Sequence, residues 1–256
     1  MLTLISCAKT MAAKTNIEVP ATYEPAYAQT ALEHALQLGQ YSVEEMEALL
    51  RVNRKIAAQN VLRYQNFLSE DNPALPALLA YTGMVFKRIA PGDFTAEDFR
   101  FAQDHLRITS FLYGLLRPLD VIRNYRLEGS VRPGFLGGNS FFDYWKERLT
   151  APFISDIRNR GGVLLNLASG EMKQLFDWKE VCHATEVVDV DFYVRQGGRL
   201  KNVTVYAKMC RGEMTRYVLK NRIDHPDGIK NFSWEGFQLD ETVSTPRHLV
   251  FVSQDI

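Results

Sequence analysis

The stretch His105-Leu-Arg-Ile-Thr-Ser-Phe-Leu-Tyr-Gly-Leu-Leu-Arg-Pro-Leu-Asp120, with Tyr125-Arg-Leu-Glu128 just beyond it, decides how the middle of this 256-residue chain is read. Phe99, Ala102, Leu106, Thr109 and Tyr113 recur at helical spacing, and Thr95-Ala-Glu-Asp98 has the form of a capping box that starts a helix. The pattern predicts a helix running into Tyr113-Gly114, a break at Arg117-Pro118 and a second helix after it. Proline cannot continue a helix but tolerates its first turn. The expected element is therefore helix–hairpin–helix-like, over about 95–128. Its helix-start N–H groups, beside Arg117 and Arg126, suit a phosphate diester.

Outward from this segment the chain alternates between strand and helix signals. Leu2–Ser6 reads as a short buried strand and Tyr27–Leu38 as a helix. Ser42-Val-Glu-Glu45 is a second capping box, and the apolar spacing after it predicts one helix to about Phe67. A short helix is expected over Leu75–Ala80 and a long one from Phe141 to about Arg158, after the loop signals Arg132-Pro-Gly and Gly137-Gly138. Val163–Ala168 resembles a strand buried on both faces. Glu186–Val194 and Asn202–Met209 are expected to form a hairpin about Gln196-Gly-Gly198, since paired glycines suit the positive φ angles of such turns. Gly212–Ile223 returns to a helix pattern, and His248–Val252 reads as a last strand. The expected fold class is α+β (mixed α/β), a single domain with a mixed sheet and flanking helices. No internal repeat, low-complexity tract or linker divides the chain.

Composition is that of an ordinary globular protein, 46% hydrophobic and 23% charged. Three scattered cysteines, Cys7, Cys182 and Cys210, argue against a disulfide framework and for a reducing compartment. No basic region precedes the first apolar run and no stretch approaches transmembrane length, so the expected location is the cytoplasm, with no membrane partner. Thirty basic residues balance thirty acidic ones, which counts against a dedicated nucleic-acid binder. Local counts differ. Residues 199–222 hold seven basic residues against Glu213 alone, and 105–132 hold five against Asp120 and Glu128. A neutral molecule with one basic side can still bind phosphates; solvated helix faces are the plainer reading.

Three clusters carry chemistry. Ser6-Cys7-Ala8-Lys9 follows the first strand, where α/β sheets present ligand-binding groups; Lys9 could hold a phosphate, act as an amine nucleophile, or stand on the surface. In Asn166-Leu-Ala-Ser-Gly-Glu171, Ser169 could cap a following helix, or Glu171 could face Lys9 across a cleft. Lys208 and Arg211-Gly212 are expected where a strand passes into a helix, with glycine letting a phosphate approach the backbone. Alternatively Arg211 pairs with Glu128 or Asp120 inside the fold. His34, His105, His183, His225 and His248 are far apart and no Cys-x-x-Cys or His-x-x-x-His pair occurs, so no metal is expected. No cofactor is expected either, the nucleotide loop Gly-x-x-x-x-Gly-Lys-Ser/Thr being missing.

Taken together in order and spacing, Ser6–Lys9, Tyr81-Thr-Gly83, His105–Asp120, Tyr125–Glu128, Asn166–Glu171, Tyr206-Ala-Lys208 with Arg211-Gly-Glu-Met214, and Phe232-Ser-Trp-Glu-Gly-Phe237 resemble the YaaA peroxide stress family, from Met1 to about Phe251. The resemblance implies binding of double-stranded DNA and protection against peroxide damage linked to free iron, with no established catalytic activity. Departures from the family pattern are Cys7 in place of Pro, Met172 in place of Tyr and Cys210 in place of Ala. The leading expectation is a DNA-binding protein gripping distorted or damaged duplex through backbone and shape contacts, with Lys9, Gly114, Arg117, Pro118, Arg126, Lys208 and Arg211 as contact residues. The alternative is an enzyme acting on a nucleic-acid base or a phosphorylated small molecule, with Ser6, Lys9 and Glu171 as catalytic candidates in a pocket beside Lys208 and Arg211.

Overall fold

The computed structural model describes residues 1–70 and 72–254. β1 (Leu2–Ile5) is buried along its whole length. Three helices follow: α1 (Ala28–Leu38), α2 (Val43–Leu50) and α3 (Arg54–Gln65). The capping box is present: Ser42 Oγ accepts the Glu45 N–H, and Glu45 accepts the Ser42 N–H. The single helix expected to reach Phe67 is instead two. Arg51 takes a left-handed conformation (φ 52°), and Asn53 caps α3 by accepting the Ile56 N–H at 3.0 Å. A side chain that offers the backbone an alternative bond stops one helix and starts the next.

β2 (Ala74–Pro76), α4 (Ala77–Ala80), α5 (Met84–Ile89) and α6 (Ala96–His105) lead into the segment His105–Asp120. Thr95 and Asp98 cap α6 reciprocally, as expected. The helix then ends at His105. The next residues form β3 (Leu106–Ser110), β4 (Gly114–Leu116) and β5 (Val121–Arg123). β3 and β4 pair as an antiparallel hairpin, Ser110 opposite Gly114, and β5 pairs with β2. There is no helix–hairpin–helix over 95–128; the expectation is corrected to a helix followed by a strand hairpin. Pro118 lies in the turn Arg117–Asp120, where the Asp120 N–H donates to the Arg117 carbonyl at 3.2 Å. This is the position that proline's fixed φ favours in a β-turn. All five residues of β3 are buried, so no alternation marks it as a strand, and a strand buried on both faces has the apolar density of a buried helix.

The remaining elements are α7 (Phe141–Asn159), β6 (Val163–Asn166), α8 (Trp178–Ala184), β7 (Glu186–Gln196), β8 (Arg199–Lys201), α9 (Thr204–Lys220), β9 (Gln238–Leu239) and β10 (His248–Gln254). The strand expected over Asn202–Met209 is helix from Thr204 onward: only Arg199–Lys201 return along β7, and α9 takes the rest. The main sheet runs β4-β3-β1-β6-β7-β10-β9, with β8 on β7. β3, β1, β6, β7 and β10 are mutually parallel; β4, β8 and β9 are antiparallel. The fold is thus α+β with a mixed sheet. α7 covers one region of it through Phe141, Trp145, Leu149, Phe153 and Ile157, all essentially inaccessible, each contributing about 1.5–3 kcal/mol of burial. No described helix is long and apolar enough to cross a membrane.

β1 is flanked by β3 on one side and β6 on the other, and the chain reaches them in turn through separate connections. Such a reversal opens a crevice at the carboxyl ends of the strands. The polar residues after β1 and β6 enter that crevice.

Candidate functional site

A cavity of about 330 Å³ lies at these strand ends. Ser6 to Thr10 line it from the end of β1, Phe111 from the β3–β4 turn, Tyr125 to Glu128 from beyond β5, Leu167 to Met172 from beyond β6, Gly83 to Phe86 from α5, and Lys208 and Arg211 from α9. Six segments distant in sequence meet here. The first is pinned by backbone pairing: the Ala12 N–H donates to Ala80 O at 2.7 Å and the Thr82 N–H to Thr10 O at 3.0 Å. Gly83 permits this approach, since a Cβ there would fall 2.6 Å from Ala8 Cβ. That is a physical role for the Tyr81-Thr-Gly83 motif.

Of the expected site residues, Ser6, Lys9, Arg126, Glu171, Lys208 and Arg211 come together around this cavity. Gly114, Arg117 and Pro118 do not. Gly114 has φ 74° and packs against Trp145, whose ring leaves only 2.8 Å for an added Cβ. Arg117 is ion-paired to the buried Asp120 at 2.9 Å and lies over the Tyr23 ring, beside a different depression.

Most arginines of the basic stretches are engaged within the fold. Arg107 grips Asp156 with two bonds, and Arg123 donates to Ser69 O and Asn72 O. On α9, Arg216 pairs with Asp93, and Lys220, together with Arg222 just beyond the helix, flanks Asp98. Lys208 and Arg211 are therefore the part of the α9 cluster left to the cavity. They sit within the helix rather than at its start, so the expected free backbone amides are not there. Gly212 serves a different close approach: its position for a Cβ is 2.4 Å from Val85 O, where α5 crosses α9.

Lys9 Nζ pairs with Glu128 Oε1 at 3.0 Å, and Arg126 reaches the same oxygen at 3.4 Å. Glu128, not Glu171, is thus the ion partner of Lys9, while Glu171 lines the cavity as an exposed carboxylate. Arg211 meets neither Glu128 nor Asp120; its nearest acid is Asp191 at 3.9 Å, beyond hydrogen-bonding distance. Burial lowers the Arg211 pKa from its ordinary value, with Asp191 opposing. The Nε atoms of both Arg126 and Arg211 are buried with no partner. Native proteins seldom leave such groups unsatisfied, and each requires an explanation.

Tyr125, which lines the cavity, belongs to a buried chain of hydroxyls. Tyr81 and Tyr125 share a hydrogen bond at 2.8 Å, and Tyr125 shares another with Ser110 at 2.7 Å. Burial holds both phenols well above the ordinary tyrosine range. Burial also pushes the Cys7 thiol up to about 12, aided by the Glu128 and Glu171 carboxylates and opposed by the hydrogen bond to Thr109. Ser169 does not cap with its side chain; its N–H donates to Ser6 Oγ at 2.9 Å, tying together the ends of β1 and β6. Met172 takes up a hydrogen bond from the Thr109 hydroxyl at 3.1 Å. Among the described residues no cluster of three or more His, Cys, Asp or Glu side chains is arranged to hold a metal ion.

Sequence reasoning left Glu128, Asp191 and the Gly83–Phe86 wall out of the site. Glu128 belonged to a motif already singled out, whereas Asp191 has no local signal, being one polar residue in an alternating strand.

A family model described as "Peroxide stress protein YaaA" matches residues 1–243. A UPF0246 protein of Bacteroides thetaiotaomicron is 58% identical over 253 residues, covering 99% of this chain and 98% of its own. UPF0246 proteins of Phocaeicola vulgatus and Clostridium beijerinckii are 57% and 35% identical, each covering 98% of this chain, and 98% and 97% of their own lengths. These likenesses run through every segment that builds the cavity, and the chain belongs to the YaaA peroxide stress protein family.

Proposed function

We propose that this peroxide stress protein binds double-stranded DNA at the cavity and its basic rim, favouring distorted or damaged duplex, and so helps limit damage linked to free intracellular iron. The observation that carries the reading is the pair of largely buried arginines, Arg126 and Arg211, whose Nε groups lack partners, behind the more exposed Lys9 and Lys208. Positive groups around a concave site, with donors left open, suit phosphate oxygens. Contacts of this kind position a backbone without reading sequence, so preference is for shape. The test is fluorescence anisotropy of intact, gapped and mismatched duplexes across a salt series. Binding weakens linearly in log salt, and Lys208→Ala reduces the slope by about 0.9 for one lost phosphate contact. Absence of binding at low salt overturns the reading.

A second reading has one observation in its favour: Lys9, Glu128 and Glu171 line the same cavity, an amine beside two carboxylates. It makes the protein an enzyme on a nucleic-acid base or phosphorylated small molecule; on a damaged nucleotide Lys9 passes its proton to Glu128, its amine attacks the sugar C1′ as the base leaves with the bonding electrons, and the ring-opened sugar is held as a Schiff base. Borohydride trapping of a Lys9 adduct on duplexes with damaged bases tests it; no Lys9-dependent adduct removes it.

A further inference from the structure

The cations of the cavity stand in two tiers. Lys9 is 65% exposed and Lys208 is exposed, both within reach of a strand passing over the mouth. The side chains of Arg126 and Arg211 are only 21% and 16% exposed, each with its Nε shut off from solvent and unpartnered. A phosphodiester inside a continuous strand carries a sugar on both sides, and both must leave through the mouth. A group that reaches the lower tier therefore ends there.

Charge points the same way. Lys9, Arg126, Lys208 and Arg211 against Glu128 and Glu171 leave the lining with a surplus of two positive charges. Asp191 stands behind Arg211 at 3.9 Å; it offsets part of that charge without satisfying the guanidinium fork. A phosphomonoester carries about −1.5 to −2 near pH 7, whereas a diester carries about −1. Guanidiniums, with planar forked donors, match a terminal phosphate better than ammonium groups do. Phe111 and Phe86 form another part of the wall of a 330 Å³ space, at the lower end of ligand-pocket sizes and suited to one flat heteroaromatic body.

We infer that the buried arginine tier is a phosphomonoester subsite, and that the group filling the cavity is a phosphate-ended nucleotide, either free or at a strand terminus. This rests on the reading of the cavity as a phosphate site and specifies the ligand it takes. The full chain is titrated calorimetrically with deoxyguanosine 5′-monophosphate, deoxyguanosine and inorganic phosphate. Internally labelled duplexes with 5′-phosphate or 5′-hydroxyl ends are compared by anisotropy. The monophosphate binds at least tenfold tighter than the nucleoside, and Arg126→Lys and Arg211→Lys each cut that ratio severalfold while circular dichroism shows a folded chain. A preference for phosphorylated duplex ends assigns the ligand to strand termini; equal duplex affinities with tight monophosphate binding assign it to free nucleotides. Equal affinity for monophosphate and nucleoside, or binding of neither, overturns the inference even if duplexes bind with the expected salt slope. Monophosphate binding without duplex binding leaves the inference standing and removes the DNA reading.

Discussion

Substituting Gly212 with alanine tests how the cavity is held open. In the middle of a helix, glycine to alanine ordinarily stabilises by about 1 kcal/mol, because alanine loses less backbone entropy. Here the added Cβ falls 2.4 Å from Val85 O, 2.6 Å from Arg88 Cβ and 3.1 Å from Val85 C. Non-bonded contacts settle near 3.5–4.0 Å, so α5 must recede from α9 by roughly 1 Å. The obstruction is helix backbone, not the end of a flexible side chain, which places the cost in the upper part of the usual overpacking range of about 1–3 kcal/mol. After the propensity gain, Gly212→Ala is expected to destabilise by about 1–2 kcal/mol, with a fall in melting temperature of about 2–4 °C per kcal/mol at this size. Gly92→Ala, where an added Cβ meets nothing within 4 Å, is the control and should leave melting unchanged or slightly raised. Because α5 carries Met84 and Val85 into the cavity wall beside α9, duplex affinity should fall together with stability. The readouts are thermal melting by circular dichroism and anisotropy on the same samples. A Gly212→Ala protein as stable as the parent, or more so, would refute the close-packing argument.

Two further outcomes are expected. His34 is 6% exposed among Phe135, Phe141, Tyr144 and Trp145, and burial lowers its pKa from 6.5 to about 4, with Arg148 contributing and Glu33 opposing. Between those values the unfolded chain binds a proton that the folded chain refuses, so stability rises with pH across the window. At pH 5 the cost relative to pH 7.5 is about 2 kcal/mol. Urea melts of the parent and His34→Phe should differ in pH slope by that amount, a difference that cancels the similarly lowered His105; identical slopes would count against it. Cys7, with its thiol near 12, should resist alkylation while exposed Cys182 reacts first, as read by mass spectrometry after brief iodoacetamide treatment. Labelling of Cys7 at the rate of Cys182 contradicts the burial assigned to it.

The parts of the fold that local rules determine were readable in the chain. Ser42 and Thr95 start helices because a hydroxyl and a carboxylate three residues later answer each other's N–H groups; Ser140 and Asp143 do the same for α7, whose span was expected without its cap. β1 and β6 are apolar runs at the start of the chain and after Gly161-Gly162. The errors share a cause. Leu106–Ser110 is buried on every side, which erases the period that distinguishes strand from helix, and Val203, Val205, Ala207 and Met209 alternate like a strand within a helix. Their environment, not their order, decided the outcome. In the candidate site, the residue types were legible but their partners were not. Lys9 meets Glu128 across a separation of more than a hundred residues, and no spacing rule encodes that meeting.

That the cavity is assembled from six segments has a consequence for measurement. None of its walls persists when the sheet comes apart, so a bound ligand is lost entirely on unfolding, and its free energy of binding adds to the stability of the whole chain. At a hundred times its dissociation constant, a ligand raises the unfolding free energy by about 2.7 kcal/mol. Melting temperature is then a direct gauge of occupancy, and a library of small phosphorylated compounds can be ranked on the unlabelled protein without first knowing what reaction, if any, takes place there.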